Sequence, residues 1–154
     1  VEVVKNAVCE GQVDMLNAMD LDEAGSFDKH LSVIERCFWK ETVDDIFAAL
    51  EAEKGDWAKT QLAGLRTKSP QTLKVAHRQL RRGLDMKTFE DNMRMEFRIA
   101  CRVVHRHDFQ EGVRAVIVEK DNKPNWNPAT LAGVTNEMLN EIFAPLGEGE
   151  LTFD

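Results

Sequence analysis

Cysteine is scarce in this chain: three of 154 residues, at Cys9, Cys37 and Cys101. An odd number, spread this widely, does not suit the disulfide framework on which small secreted domains rely. A reducing compartment is expected instead, a bacterial cytoplasm or a mitochondrial matrix. Also missing is any apolar run near the roughly 20 residues that a transmembrane helix needs, so no membrane partner is expected. Basic residues are in the minority, with 20 Lys and Arg against 27 Asp and Glu, for a net charge of −7. That balance speaks against nucleic acid, whose phosphates demand a clustered excess of cations. What remains is an ordinary globular composition, 43% hydrophobic and 31% charged. The length suits one domain burying roughly two thirds of its unfolded surface.

What is present is helical periodicity. Thr42-Val43-Asp44-Asp45 reads as a capping box, its hydroxyl satisfying an orphan amide while the acids face the positive end of the helix dipole. Val43, Ile46, Phe47 and Leu50 follow at helical spacing. Gly55 interrupts, and Trp57, Leu62 and Leu65 continue in a second short helix. Ser69-Pro70 starts a third, because proline at the first helical position lacks only an amide that would be unpaired anyway. Leu73, Ala76, Leu80 and Leu84 are expected to line its buried side, with Gly83 placed to weaken or end it. Thr88 opens what is expected to be the longest helix, with Phe89, Met93, Phe97, Ala100 and Val104 as its stripe. From about Phe109 to Lys120 another helix fits, although Val116-Ile117-Val118 alone suits a strand equally well. Pro124 and Pro128 bracket a loop. Thr135 to Leu146 is a last amphipathic helix, with Met138, Leu139, Ile142, Phe143 and Leu146 inward.

Asp20 to Ser26, acidic and containing Gly25, is the expected linker. With the helix before it (Val4, Val8, Leu16, Met19) it makes a unit of residues 1–26, ahead of a helical domain over 27–154. The expected fold class is all-α, a multi-helix array.

Few residues offer chemistry. Cys101 and His105 lie four apart and share a helix face, but His107 does not join them and no second ligand pair is visible. No metal site is expected. His77, between Leu73 and Leu80, carries an imidazole of the kind that serves as a general base, but a hydrogen-bonded histidine at the core's edge is the expected reading. Lys74, Arg78, Arg81 and Arg82 gather on one helix side, and Arg94, Arg98 and Arg102 recur every four residues on another. Such faces can meet phosphates through paired guanidinium hydrogen bonds, or pair with the chain's own acids. Asp108 can cap a helix, and the Glu111–Arg114 spacing permits a same-face pair.

One ordered series of segments carries a resemblance. Ser69-Pro70-Gln71-Thr72-Leu73-Lys74, Arg78-Gln79-Leu80 and Met95-Glu96-Phe97-Arg98 are followed by His107-Asp108-Phe109-Gln110-Glu111-Gly112-Val113-Arg114. Glu119-Lys120-Asp121, Pro124-Asn125-Trp126, Leu146-Gly147 and Leu151-Thr152-Phe153 come after. In order and spacing they resemble the C-terminal part of 3-hydroxyisobutyryl-CoA hydrolases, within the enoyl-CoA hydratase/isomerase (crotonase) superfamily. The match runs from about Phe27 to the end and is less clear over residues 1–26.

The resemblance favours helix over strand for Val116 to Val118. It implies that the chain is the helical C-terminal portion of a longer acyl-CoA thioester hydrolase, packing on an α/β crotonase core and helping to shape the acyl-CoA site. The core would supply the oxyanion-binding amides and the acidic catalytic residues, so no catalytic residue is expected here and the chain alone is expected to be inactive. No separate cofactor is implied. In many relatives the last helix ends in a "FLEK" segment whose lysine lies near the coenzyme A phosphates. With one residue inserted, Lys120 takes that place and is the implied CoA-binding residue; without a gap, Glu119 takes it. An uncovered core-facing side implies self-association. An enoyl-CoA hydratase or isomerase of the same fold, and a stand-alone helical interaction module, are the alternative readings.

Overall fold

The computed structural model describes residues 27–153. The N-terminal helix and the Asp20–Ser26 linker lie outside them. The chain divides between Glu35 and Arg36 into two compact units. Of the first, a single 3-10 turn over Asp28–His30 is described, closed by the His30 amide on the Phe27 carbonyl at 2.8 Å, before helix α1 (Leu31–Phe38) begins.

Every further element of the second unit is helical among the described residues: α2 (Val43–Ala52), α3 (Asp56–Arg66), α4 (Pro70–Asp85), α5 (Phe89–Val103), α6 (His107–Val113) and α7 (Asn136–Phe143). Hydroxyl caps set several of their starts. Thr42, Ser69, Thr88 and Thr135 each accept the amide three residues on, at 3.0 to 3.3 Å, and so satisfy a donor the helix cannot pair itself. Pro70 follows Ser69 at the first position of α4. That helix has 16 residues against 15 for α5, and it runs two residues past Gly83. α7 stops at Phe143, short of Leu146, because Ala144 precedes Pro145 and takes the extended backbone that proline imposes on its predecessor.

Val43, Ile46 and Leu50 of α2 and Ala58 and Leu62 of α3 are buried where those two helices pack. The larger cluster joins Val75 of α4, Met95 and Ile99 of α5, Val134, and Leu139, Ile142 and Phe143 of α7. This corrects the expected inward faces of α4 and α5. Leu80 and Leu84 are 73% and 64% exposed, Phe89 is 70% exposed, and Ala76, Phe97, Ala100 and Val104 also face outward. At about 100° per residue, Gln71, Val75, Arg78 and Arg82 lie on the side of α4 opposite the expected stripe. Met95, Ile99 and Arg102 stand in the same relation on α5.

The reason is arginine. Arg78 and Arg82 lie over the Phe143 ring, 5.7 and 4.8 Å from its centroid. They complete an inward face that hydrophobic periodicity reads as polar, because guanidinium planes pack on aromatic rings as apolar groups do. Each of these helices therefore has two faces fit for burial, and only one is buried.

Candidate functional site

The His107–Trp126 stretch folds back on itself. α6 gives way to a π turn over Arg114–Val118, closed by the Glu119 amide on the Arg114 carbonyl at 2.8 Å. Val116 to Val118 are thus helical, not a strand, and the helical run begins at His107 and ends at Val118. Lys120 and Asn122 then take left-handed backbone, φ 58° and 54°, and the chain reverses along α6.

Arg114 holds the reversal together. It donates to both oxygens of Glu111 at 2.8 Å, to Glu119, to Asp121 at 2.8 Å and to the Lys123 carbonyl at 3.1 Å. The expected Glu111–Arg114 pair is present, as one part of a larger hub. Glu111 also accepts the Asn125 amide at 2.7 Å. These bonds, Arg114 first and the Asn125 amide second, hold its carboxyl well below the usual range, down to about 2. Asp121 is lowered by the same guanidinium and by the Lys123 amide, while Arg114 is raised, by Glu111 above all.

Asp108 does not cap α6 as expected; Arg106 occupies that position. Instead Asp108 is buried. It accepts the Ser69 hydroxyl on Oδ2 and the Asn127 amide on Oδ1 at 2.7 Å. One carboxylate thereby ties the start of α4 to the loop after the signature. His107 donates Nε2–H to the Asn125 carbonyl at 2.9 Å, and Trp126 donates its indole N–H to the Thr67 carbonyl at 3.0 Å. The indole lies against Gly112, where an added Cβ would sit 3.5 Å from the ring. These non-local partners carried no signal in the sequence.

The remaining candidates separate. Cys101 is half-buried and His105 exposed, and among the described residues no three His, Cys, Asp or Glu gather to hold a metal. Cys37 is buried, which pushes its thiol up and away from the reactive thiolate. His77 donates Nε2–H to the Lys40 carbonyl at 3.0 Å, a histidine bonded at the core's edge. It lines a cleft of about 380 Å³ with Glu41, Asp44, Lys74, Arg78 and Arg81. The cations there are engaged: Lys74 with Asp44 at 3.3 Å, Arg81 with Glu41 at 2.8 Å, and Arg78 with the side-chain carbonyls of Asn140 and Asn136 at 2.8 and 3.0 Å.

The second basic row lashes down the tail. Arg94 donates to the Leu151 carbonyl at 3.2 Å and lies over the Phe153 ring, and Arg98 meets Glu150 at 2.7 Å. Arg102 donates to the carbonyls of Ile142, Ala144 and Pro145, offsetting the negative end of α7.

An array of this shape recurs in crotonase-fold enzymes. A carnitinyl-CoA dehydratase from Mycobacterium thermoresistibile aligns with a TM-score of 0.84 at 35% identity, over 99% of this chain and 44% of that one. An enoyl-CoA hydratase from Rhodobacter sphaeroides aligns with a TM-score of 0.79 at 30% identity, over 96% and 45%. The chain belongs to the enoyl-CoA hydratase/isomerase family, whose model it matches over residues 4–143. Among curated relatives, the mitochondrial 3-hydroxyisobutyryl-CoA hydrolase of Mus musculus is 40% identical over 135 residues, 88% of this chain and 35% of that protein. That of Gallus gallus is 34% identical over 154 residues, 96% and 40%. The chain thus spans a little over a third of the length of these relatives. No helix among the described residues is long and apolar enough to cross a membrane.

Proposed function

We propose that this chain is the C-terminal helical portion of an acyl-CoA thioester hydrolase that resembles 3-hydroxyisobutyryl-CoA hydrolase. Residues 27–154 form the helical domain and 1–26 lead into it from a crotonase core. The substrate is a short branched 3-hydroxyacyl-CoA, as in valine breakdown, in the mitochondrial matrix or a bacterial cytoplasm. The observation that carries the reading is the second apolar face: α4 and α5 bury one side and present Leu80, Leu84, Phe89 and Phe97 on the other. Several large apolar side chains left exposed in this way point to a covering partner. The length of the relatives is consistent with one, a preceding core of roughly one and a half times this chain's size. Deprived of it, the chain self-associates.

The core polarises the thioester carbonyl through backbone amides, and its acidic residues carry the attack. This chain closes the acyl-CoA site from outside and is inactive alone. Lys120 is its contact to the coenzyme A phosphates. The π turn supports that assignment, because a turn closed five residues apart takes in one residue more than an α-turn, the insertion the FLEK alignment requires. The two aligned structures, a dehydratase and a hydratase by name, favour hydration or dehydration of an enoyl-CoA as the second reading.

The test is a chimera in which this chain replaces the matching segment of the Mus musculus hydrolase. Cleavage of 3-hydroxyisobutyryl-CoA within about tenfold of the parent is expected, a barrier change of about 1.4 kcal/mol. Lys120→Ala in that chimera raises KM and leaves kcat. A folded but inactive chimera, or thioester cleavage by this chain alone, overturns the reading.

A further inference from the structure

Between α4, α5 and the start of α6 lies a hollow of about 180 Å³. Val75, Ile99, Val103 and Phe109 give it apolar walls, and Gln71 and Asp108 also line it. Both Asp108 oxygens are engaged, by Ser69 and by Asn127. Gln71 is 5% exposed, yet its side-chain amide has no hydrogen-bond partner among the described residues. Water in the hollow can serve that amide, and an occupant that expels the water must pair it instead. Here the amide lines an open hollow rather than being sealed behind it.

Size and chemistry define an occupant. An apolar cavity of about 150 Å³ takes a benzene ring, so this hollow accepts one ring with little to spare. A wholly apolar side chain would leave the Gln71 amide unpaired, whereas a small hydroxylated one would leave most of the space empty. A carboxylate would meet Asp108. The group that fits is a phenol, with an apolar body and a tip that both donates and accepts.

This chain has no tyrosine, so neither it nor a second copy can supply that group. Exposed Ala76 lines the mouth, which continues the second apolar face of α4. Whatever covers that face reaches the hollow. We propose that the hollow receives a tyrosine side chain from the catalytic core, with its hydroxyl on the Gln71 amide, making it an anchor of the core-to-helix interface. This inference rests on the proposed function above.

Titration of the 154-residue chain with p-cresol and with toluene, at a concentration where light scattering shows the monomer, followed by ¹H–¹⁵N NMR, tests it. p-Cresol is expected to move the Gln71 side-chain amide signals and to bind about fivefold tighter than toluene, the worth of one neutral hydrogen bond. Gln71→Leu equalises the two ligands. Ala76→Phe, at the exposed rim, blocks both while the circular dichroism spectrum is unchanged, which separates loss of the hollow from loss of the fold. Gln71 signals that do not respond, or equal binding of the two ligands by the unaltered chain, overturn the proposal. In the active chimera the hollow is filled and p-cresol leaves Gln71 unmoved. An active chimera whose Gln71 still responds overturns the tyrosine and leaves the proposed function standing.

Discussion

Arg82 holds its guanidinium 4.8 Å from the centroid of the Phe143 ring, on the side of α4 away from Leu84. Phe143 and its neighbour Ile142, which is fully buried, belong to the one apolar cluster that α4, α5 and α7 share. Leu84 is exposed and joins no buried cluster among the described residues.

The two faces should respond oppositely to substitution. Ile142→Ala is expected to destabilise the chain by about 2–5 kcal/mol, through lost burial and the cavity left behind. Leu80→Ser is expected to fall within about 0.5 kcal/mol of the unaltered chain and to reduce self-association. Chemical denaturation and light scattering read the two effects. A large loss of stability for Leu80→Ser would place that leucine in the core after all.

Asp108 joins the start of α4 to the loop at Asn127, and each oxygen has one partner. Asp108→Ala strands the Asn127 amide and the Ser69 hydroxyl and should cost about 1–3 kcal/mol. Ser69→Ala removes one of those bonds together with the α4 cap, at about 1 kcal/mol. Denaturation midpoints of the two variants should rank in that order.

The Glu111 carboxyl titrates lower in the fold than its ordinary 4.5, at about 2. A depressed folded pKa means that the unfolded chain takes up the proton first. The stabilisation is therefore complete above the ordinary value and is lost as the pH falls from there through the folded value. Asp121 shifts in the same direction. Glu111→Gln should lower the melting temperature at neutral pH, and its gap to the unaltered chain should close between 4.5 and about 2. A gap that stays constant with pH would remove Glu111 from the hub.

Gly133 sits where a Cβ would come within 2.8 Å of the Pro128 Cβ. A proline ring cannot swing aside as the end of a long side chain can. Gly133→Ala should therefore cost about 1–3 kcal/mol in overpacking. Gly112→Ala meets the Trp126 ring at 3.5 Å, an ordinary contact, and serves as the tolerated control in the same thermal melt.

Which features a reader of the sequence could find depended on distance along the chain. The caps at Thr42, Ser69, Thr88 and Thr135 are complete within four residues, as is the Glu111–Arg114 pair, and all were readable. The inward faces of α4 and α5 were not. Arg78, Arg82 and Arg102 occupy core-edge positions, and hydropathy scores them as solvent-facing whatever their stems and planes cover. On each helix the more apolar stripe is the one left open, so periodicity chose the wrong side. The Ser69–Asp108 and Thr67–Trp126 bonds span 39 and 59 residues and leave no local trace. Among the candidate site residues, the basic rows proved engaged within the chain rather than free for phosphate, and His77 proved to be a structural donor.

Arg94, Arg98 and Arg102 are spaced one helical turn apart along α5, and they grip the tail in reverse order: Leu151, then Glu150, then Ala144 and Pro145. Attachment in such rungs releases segment by segment. Opening that starts near Phe153 frees the Arg94 rung before it reaches Arg98, and the Arg102 rung, which also seals the end of α7, goes last. Amide hydrogen exchange along residues 144–153 should then be graded, slowest beside Arg102, where an all-or-none tail would show a single rate. The same ladder gives a proteolytic enzyme its order of cuts.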